Sequence, residues 1–361
     1  MSTDYRVLIF TIFLFFSCAE QKGADVVVEY LRLSGTACET KNGENIFKIC
    51  HVTDSLFIAK SRGDRYLVAG CWNNGEISFS PFVSLGRGPG EFRYAITEVY
   101  GDTLYIAENQ GALQKIAAVP LNALHDKSLW EYSDFSQMGN LHVASFCHKD
   151  AEHYLFAGGE YGKEELLTLA DASGVSDTRS IPFWPEDGFD GSNIVKQAVY
   201  LRNSSVYANH DRILFTCGEG RYAELFYLDS LFRVAERKVI FQTFPDYGDK
   251  GDGLNPSLKA AALRGIKVYV TGRYLYFMLH RWKDVDGKTI PPDYKGYPAV
   301  YDDRIEVYDW DGNFQCAFQT DVPFVSFGVT PDNSCLFALT KDLTDESVMI
   351  RKYAIPLTER E

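Results

Sequence analysis

Three histidines, His51, His210 and His280, stand near the ends of predicted strands in widely separated parts of the chain. Neutral imidazole is the commonest metal ligand, so a set brought to one point would hold a divalent cation and support metal-assisted hydrolysis or elimination. Seven histidines in 361 residues is an ordinary number, however, and scattered surface or core positions are the simpler account of them. Asp309-Trp310-Asp311-Gly312-Asn313 and Asp284-Val285-Asp286-Gly287 look like the openings of calcium loops. Neither has the Glu at position twelve that completes such a loop, and turn chemistry accounts for both.

Binding chemistry is concentrated in three long polar segments. These are residues 182–193 with Phe183, Trp184 and Phe189, 244–256 with Tyr247, and 291–303 with Tyr294, Tyr297 and Tyr301. Rings beside carboxylates suit sugars or peptides, because the ring stacks while the carboxylate accepts hydrogen bonds. The ligand-binding candidates are therefore Trp184, Tyr247, Tyr294, Tyr297 and Tyr301, set against a simpler role in which the rings tuck the loops down. No paired nucleophile and base is legible.

The elements that must position these residues show a repeat. A turn followed by a Leu in an aromatic or β-branched run recurs at Leu56, Leu104, Leu155, Leu214, Leu275 and Leu336. The intervals are 48, 51, 59, 61 and 61 residues. A strand-built period of roughly 40–60 residues implies an all-β propeller with one blade per repeat, here six. The last blade lacks a fourth strand at the C-terminus. The run Val26–Leu33 (Val-Val-Val-Glu-Tyr-Leu-Arg-Leu) is expected to supply it and so close the ring.

Residues 7–16 are apolar and end at Ser17-Cys18. Ten residues of helix rise only about 15 Å, half a bilayer core, so the run reads as a signal-peptide core rather than a span. The Cys after a small residue resembles a bacterial lipobox, which implies lipidation at Cys18; plain secretion is the alternative. The expected organisation is signal peptide 1–17, tether 18–25 and propeller 26–361. Seven cysteines remain beyond Cys18, an odd number that cannot form a complete disulfide framework. Cys38 and Cys50 flank a turn and could bridge it. The net charge of −13 disfavours nucleic acid as a partner.

Residues 86–92 read Gly-Arg-Gly-Pro-Gly-Glu-Phe. The glycine spacing fits neither a dinucleotide fingerprint nor a phosphate loop. The motif residues Gly86, Gly88, Pro89, Gly90, Glu91 and Phe92 read as a tight crossover between blades, with Phe92 plugging the core and Arg87 close enough to pair with Glu91. Together with the following Leu104-Tyr105-Ile106-Ala107-Glu108, the stretch resembles an NHL repeat. The whole chain resembles the TolB-like or NHL-like six-bladed propeller lipoproteins of Bacteroidetes. That resemblance implies an outer-membrane lipoprotein of the cell envelope, facing periplasm or surface, attached to the membrane only through its lipid and monomeric. The expected function is a non-catalytic binding or assembly module for a protein, peptide or glycan. The alternative is a metal-assisted hydrolase or lyase at the central channel, which would need a divalent metal as cofactor.

Overall fold

The computed structural model describes residues 28–43, 45–73, 75–109, 112–137, 141–160, 163–174, 178–258, 265–279, 301–343 and 347–357. Cys18, the signal and tether segments, His280, Tyr294 and Tyr297 lie outside them. The described residues are all-β with a single α-helix. Among them no helix is long and apolar enough to cross a membrane.

Two strands come first, β1 (Leu31–Leu33) and β2 (Thr36–Lys41). An antiparallel meander follows: β3 (Ile46–Val52), β4 (Leu56–Ser61), β5 (Arg65–Asn73) and β6 (Glu76–Leu85). The two-residue β7 (Glu91–Phe92) lies parallel on its outer edge. The same plan recurs in β8 (Ala95–Tyr100), β9 (Thr103–Asn109), β10 (Leu113–Pro120) and β11 (Glu131–Asp134). It recurs in β12 (Leu141–His148), β13 (His153–Glu160), β14 (Leu167–Asp171) and β15 (Arg179–Ile181). After the helix α1 (Asn193–Tyr200) come β16 (Ser204–Asn209), β17 (Arg212–Cys217), β18 (Arg221–Leu228) and β19 (Val234–Thr243). A small hairpin, β20 (Tyr247–Asp249) with β21 (Pro256–Leu258), precedes β22 (Ile266–Val270), β23 (Tyr274–Leu279), β24 (Asp302–Asp309) and the long β25 (Phe314–Val329). β26 (Cys335–Lys341) and β27 (Val348–Ala354) are the last strands of the described residues.

Two strands serve double duty. The first half of β25 pairs with β24 and its second half with β26. β2 pairs antiparallel with β27 and then parallel with β6. As a result β22–β27, β2 and β3–β6 run on as one curled sheet, while the three middle meanders are separate four-stranded sheets.

Every Leu of the sequence repeat falls in the second strand of its meander, in β4, β9, β13, β17, β23 and β26. Leu104, Leu155, Leu214, Leu275 and Leu336 are fully buried. These strands are apolar on both sides because the core is divided into layers between consecutive meanders. Leu155 and Leu167 pack against Ile213 and Phe215, and Leu214 packs against Leu275 and Phe277. The last meander also packs on the first, through Phe337, Leu339 and Ile350 against Ile49 and Phe57. Phe57 and Phe337 meet edge-to-face at 4.7 Å.

The strand expected to complete the last meander is corrected. Of the run 26–33, Leu31–Leu33 pair in parallel with Phe318–Thr320 on the neighbouring meander. Thr36–Lys41 takes the expected place, with Thr36–Cys38 opposite Lys352–Ile350. The chain bends between them at Gly35, where a Cβ would lie 2.4 Å from the Tyr353 ring. An outer edge covers the core on one side only, so a strand with Cys38 as its one buried residue suits it better than an apolar run. Cys38 and Cys50 are both free thiols, and no bridge joins them. Cys38 packs into the last-to-first layer, whereas Cys50 packs into the layer between the first and second meanders.

Candidate functional site

The turns joining first to second strands in the third, fourth and fifth meanders are tied to one another. Lys149 Nζ donates to Asp211 Oδ1 at 2.7 Å, and Asn209 Nδ2 donates to the Gly272 carbonyl at 2.9 Å. Between the β16–β17 turn on one side and the β22–β23 and β24–β25 turns on the other lies an open crevice of about 380 Å³.

The walls of the crevice follow from turn chemistry. His210 adopts φ +55°, the left-handed conformation that a two-residue hairpin turn requires. Asp309 holds the β24–β25 turn by accepting the Asp311 and Asn313 N–H groups at 2.9 and 2.8 Å, and Gly312 follows at φ +69°. Trp310 is buried and donates its indole N–H to the Thr271 carbonyl at 2.9 Å, which locks two turns of one meander together. Across the gap Arg212 pairs with Asp311 and lies over the Tyr227 ring at 5.0 Å. The hydrogen bond from Lys149 keeps the Asp211 carboxyl below its ordinary range. Two cation-capable groups are left over. The side chains of exposed Arg273, lying over the Tyr274 ring at 5.2 Å, and of exposed His210 have no hydrogen-bond partner among the described residues. An arginine held by stacking with its fork open can receive an oxyanion in two hydrogen bonds.

The other predicted site residues go elsewhere. His51 sits in β3 of the first meander, where burial pushes its pKa down to about 4, and it does not meet His210. Among the described residues no group of three or more His, Cys, Asp or Glu is arranged to hold a metal. Tyr301 is half-buried. Trp184 and Tyr247 come together at the opposite, crossover end, but as parts of a packed cap. Asp187, buried, accepts from Tyr247 Oη at 2.6 Å, Tyr200 Oη at 3.0 Å and Lys196 Nζ at 2.7 Å. Lys196 lies 5.9 Å from the centre of the Trp184 ring. Arg237 donates to the Trp184 carbonyl at 2.8 Å and forks onto buried Glu224 at 2.5 and 3.0 Å, bonds that raise its own pKa.

The glycine-rich motif is also internally satisfied. Glu91 accepts the Gly88 N–H at 2.8 Å instead of pairing with Arg87, which is exposed. Its carboxylate fills the space that a Cβ at Gly86 would need, at 2.0 Å. Gly90 stands at φ +69°, Pro89 is exposed, and Phe92 is fully buried.

Sequence reasoning missed a pair between the second and third meanders, in which His148 is buried and Glu98 half-buried. Glu98 accepts the His148 backbone N–H at 2.8 Å and its Nδ1 at 2.9 Å. The imidazole is stacked on Tyr100 at 4.5 Å, with Tyr105 at 4.0 Å and Tyr154 at 4.5 Å. Burial raises the Glu98 pKa against the opposing pull of His148. The only signal in the sequence is an interval of 50 residues, about one repeat, between the two.

No family model matches the chain, and no curated protein matches it. Among solved structures, the crystal structure of Chaetomium thermophilum Raptor is similar to it, with 10% sequence identity and a TM-score of 0.42. The match covers 87% of this chain and 24% of that one, so the chain spans about a quarter of the length of the structure it matches.

Proposed function

We propose that the chain is a six-bladed β-propeller serving as a non-catalytic binding or assembly module, which seats a partner protein, peptide or glycan at its turn end. Consecutive four-stranded meanders, core layers between neighbours and the packing of last on first support the propeller. The observation that carries the binding role is the crevice between two adjacent meanders, where Arg273 and His210 stand open while the surrounding charges are paired or held in turns. Rigid strands with function placed on the turns between them are the usual division of labour. The apolar run ending at Ser17-Cys18 supports a lipid anchor and a place in the cell envelope.

Immobilised full-length protein incubated with envelope extract tests the reading. A specific partner should be retained and should be lost with Arg273→Ala. Retention of nothing, alongside measurable hydrolytic or lyase turnover by the same protein, would replace the binding module with an enzyme.

A further inference from the structure

The charges around the crevice alternate in sign, and that alternation selects among partners. Arg273 and His210 are exposed beside Asp211, Asp309 and Asp311. A uniformly anionic polymer, whether nucleic acid or acidic polysaccharide, would gain Arg273 and be opposed by the exposed Asp211 and Asp311 carboxylates, each of which engages its cation through only one oxygen. A neutral glycan would leave the guanidinium fork without an oxyanion. A peptide in which an acidic residue stands next to a basic one meets both signs at once. The volume of about 380 Å³ admits side chains rather than a folded domain.

We infer that the crevice takes a peptide segment carrying an oxyanion side chain on the Arg273 guanidinium and a neighbouring basic side chain against Asp211 and Asp311, whose exposed carboxylates each use one oxygen on Lys149 and Arg212 respectively. The shared chemistry is a planar or tetrahedral oxyanion, supplied by a Glu or Asp carboxylate or by a phosphorylated Ser. His210, held at the lip by its turn, adds a second donor to the same oxyanion. Arg212 is not available for this contact, because Asp311 and the Tyr227 ring already hold it. This inference rests on the binding-module reading and adds the ligand class to it.

The test is fluorescence anisotropy of the full chain with labelled octapeptides that differ only at a central pair: Glu-Lys, Gln-Lys, Glu-Gln and phosphoserine-Lys. Glu-Lys or phosphoserine-Lys should bind at least tenfold more tightly than Gln-Lys, and the stronger of the two identifies the oxyanion. Arg273→Ala should abolish the difference at unchanged melting temperature, whereas exposed Lys250→Ala, in the distant β20–β21 hairpin, should leave it intact. Equal binding of Glu-Lys and Gln-Lys, or full discrimination in Arg273→Ala, overturns the inference. If no peptide binds while the envelope partner is still retained, the ligand class is wrong and the module stands. If neither binds, both fail.

Discussion

The crevice at the turn end and the cap at the crossover end are built from the same residue types, and they use them in opposite ways. In the cap, Asp187 accepts from Lys196, Tyr200 and Tyr247, and Glu224 accepts both arms of Arg237. The groups at its centre are answered inside the protein. In the crevice, Arg212 and Asp211 are answered, but the exposed side chains of Arg273 and His210 have no hydrogen-bond partner among the described residues. Composition therefore does not locate a binding site here. The cap is richer in aromatic rings, yet its rings fill space and its phenols hold a buried carboxylate. A ligand would have to break those contacts to use them, whereas the crevice has two donors already free.

The contrast is most easily broken in the cap. Asp187→Ala removes the partner of a buried ammonium and should cost about 3–5 kcal/mol in urea unfolding, because Lys196 is then left charged and uncompensated. A loss below about 1 kcal/mol would mean the cap is as solvated as the crevice. A histidine with no charged partner sharpens the point from another side. His51 is pushed by burial to about 4, so the unfolded chain takes up a proton between pH 6.5 and 4 that the folded protein refuses. Stability should be full above pH 6.5 and fall by up to about 3 kcal/mol as pH drops toward 4. His51→Asn should flatten that limb of the pH–stability curve, and an unchanged limb would assign it to other groups. Next in size, Tyr247→Phe deletes one phenol–carboxylate bond and should cost about 1.5–3 kcal/mol. The smallest effect belongs to the crevice: Arg273→Ala should move stability by less than about 0.5 kcal/mol, as expected for an exposed side chain with no hydrogen bond to lose.

Much of the strand order was legible because it is written in local signals. A Leu flanked by β-branched and aromatic residues recurs once per meander, and Asp311-Gly312 marks a hairpin by residue type alone. The closing strand was misplaced for a physical reason. Val26–Leu33 is the better strand former by composition, but the free edge of β27 asks for one buried side chain, and Cys38 supplies it. The helix α1, which follows the long segment 182–193, went unread, although Ser192 caps it by accepting the Ile194 N–H at 3.2 Å. The site was less legible still. His210 was singled out for metal chemistry, and its position in the crevice depends on Gly272 and Asp311, which come from turns some 60 and 100 residues later. Glu98 and His148 meet through packing whose only trace in the sequence is their separation by about one repeat.

The central claim is that the open donors of the crevice, and not the rings of the cap, hold the partner. Isothermal titration of one acidic–basic octapeptide into the wild type and Arg273→Ala tests it most directly, with melting temperatures measured on the same samples. The account predicts at least a tenfold loss of affinity in Arg273→Ala at unchanged melting temperature. Equal affinity in the two proteins would contradict it.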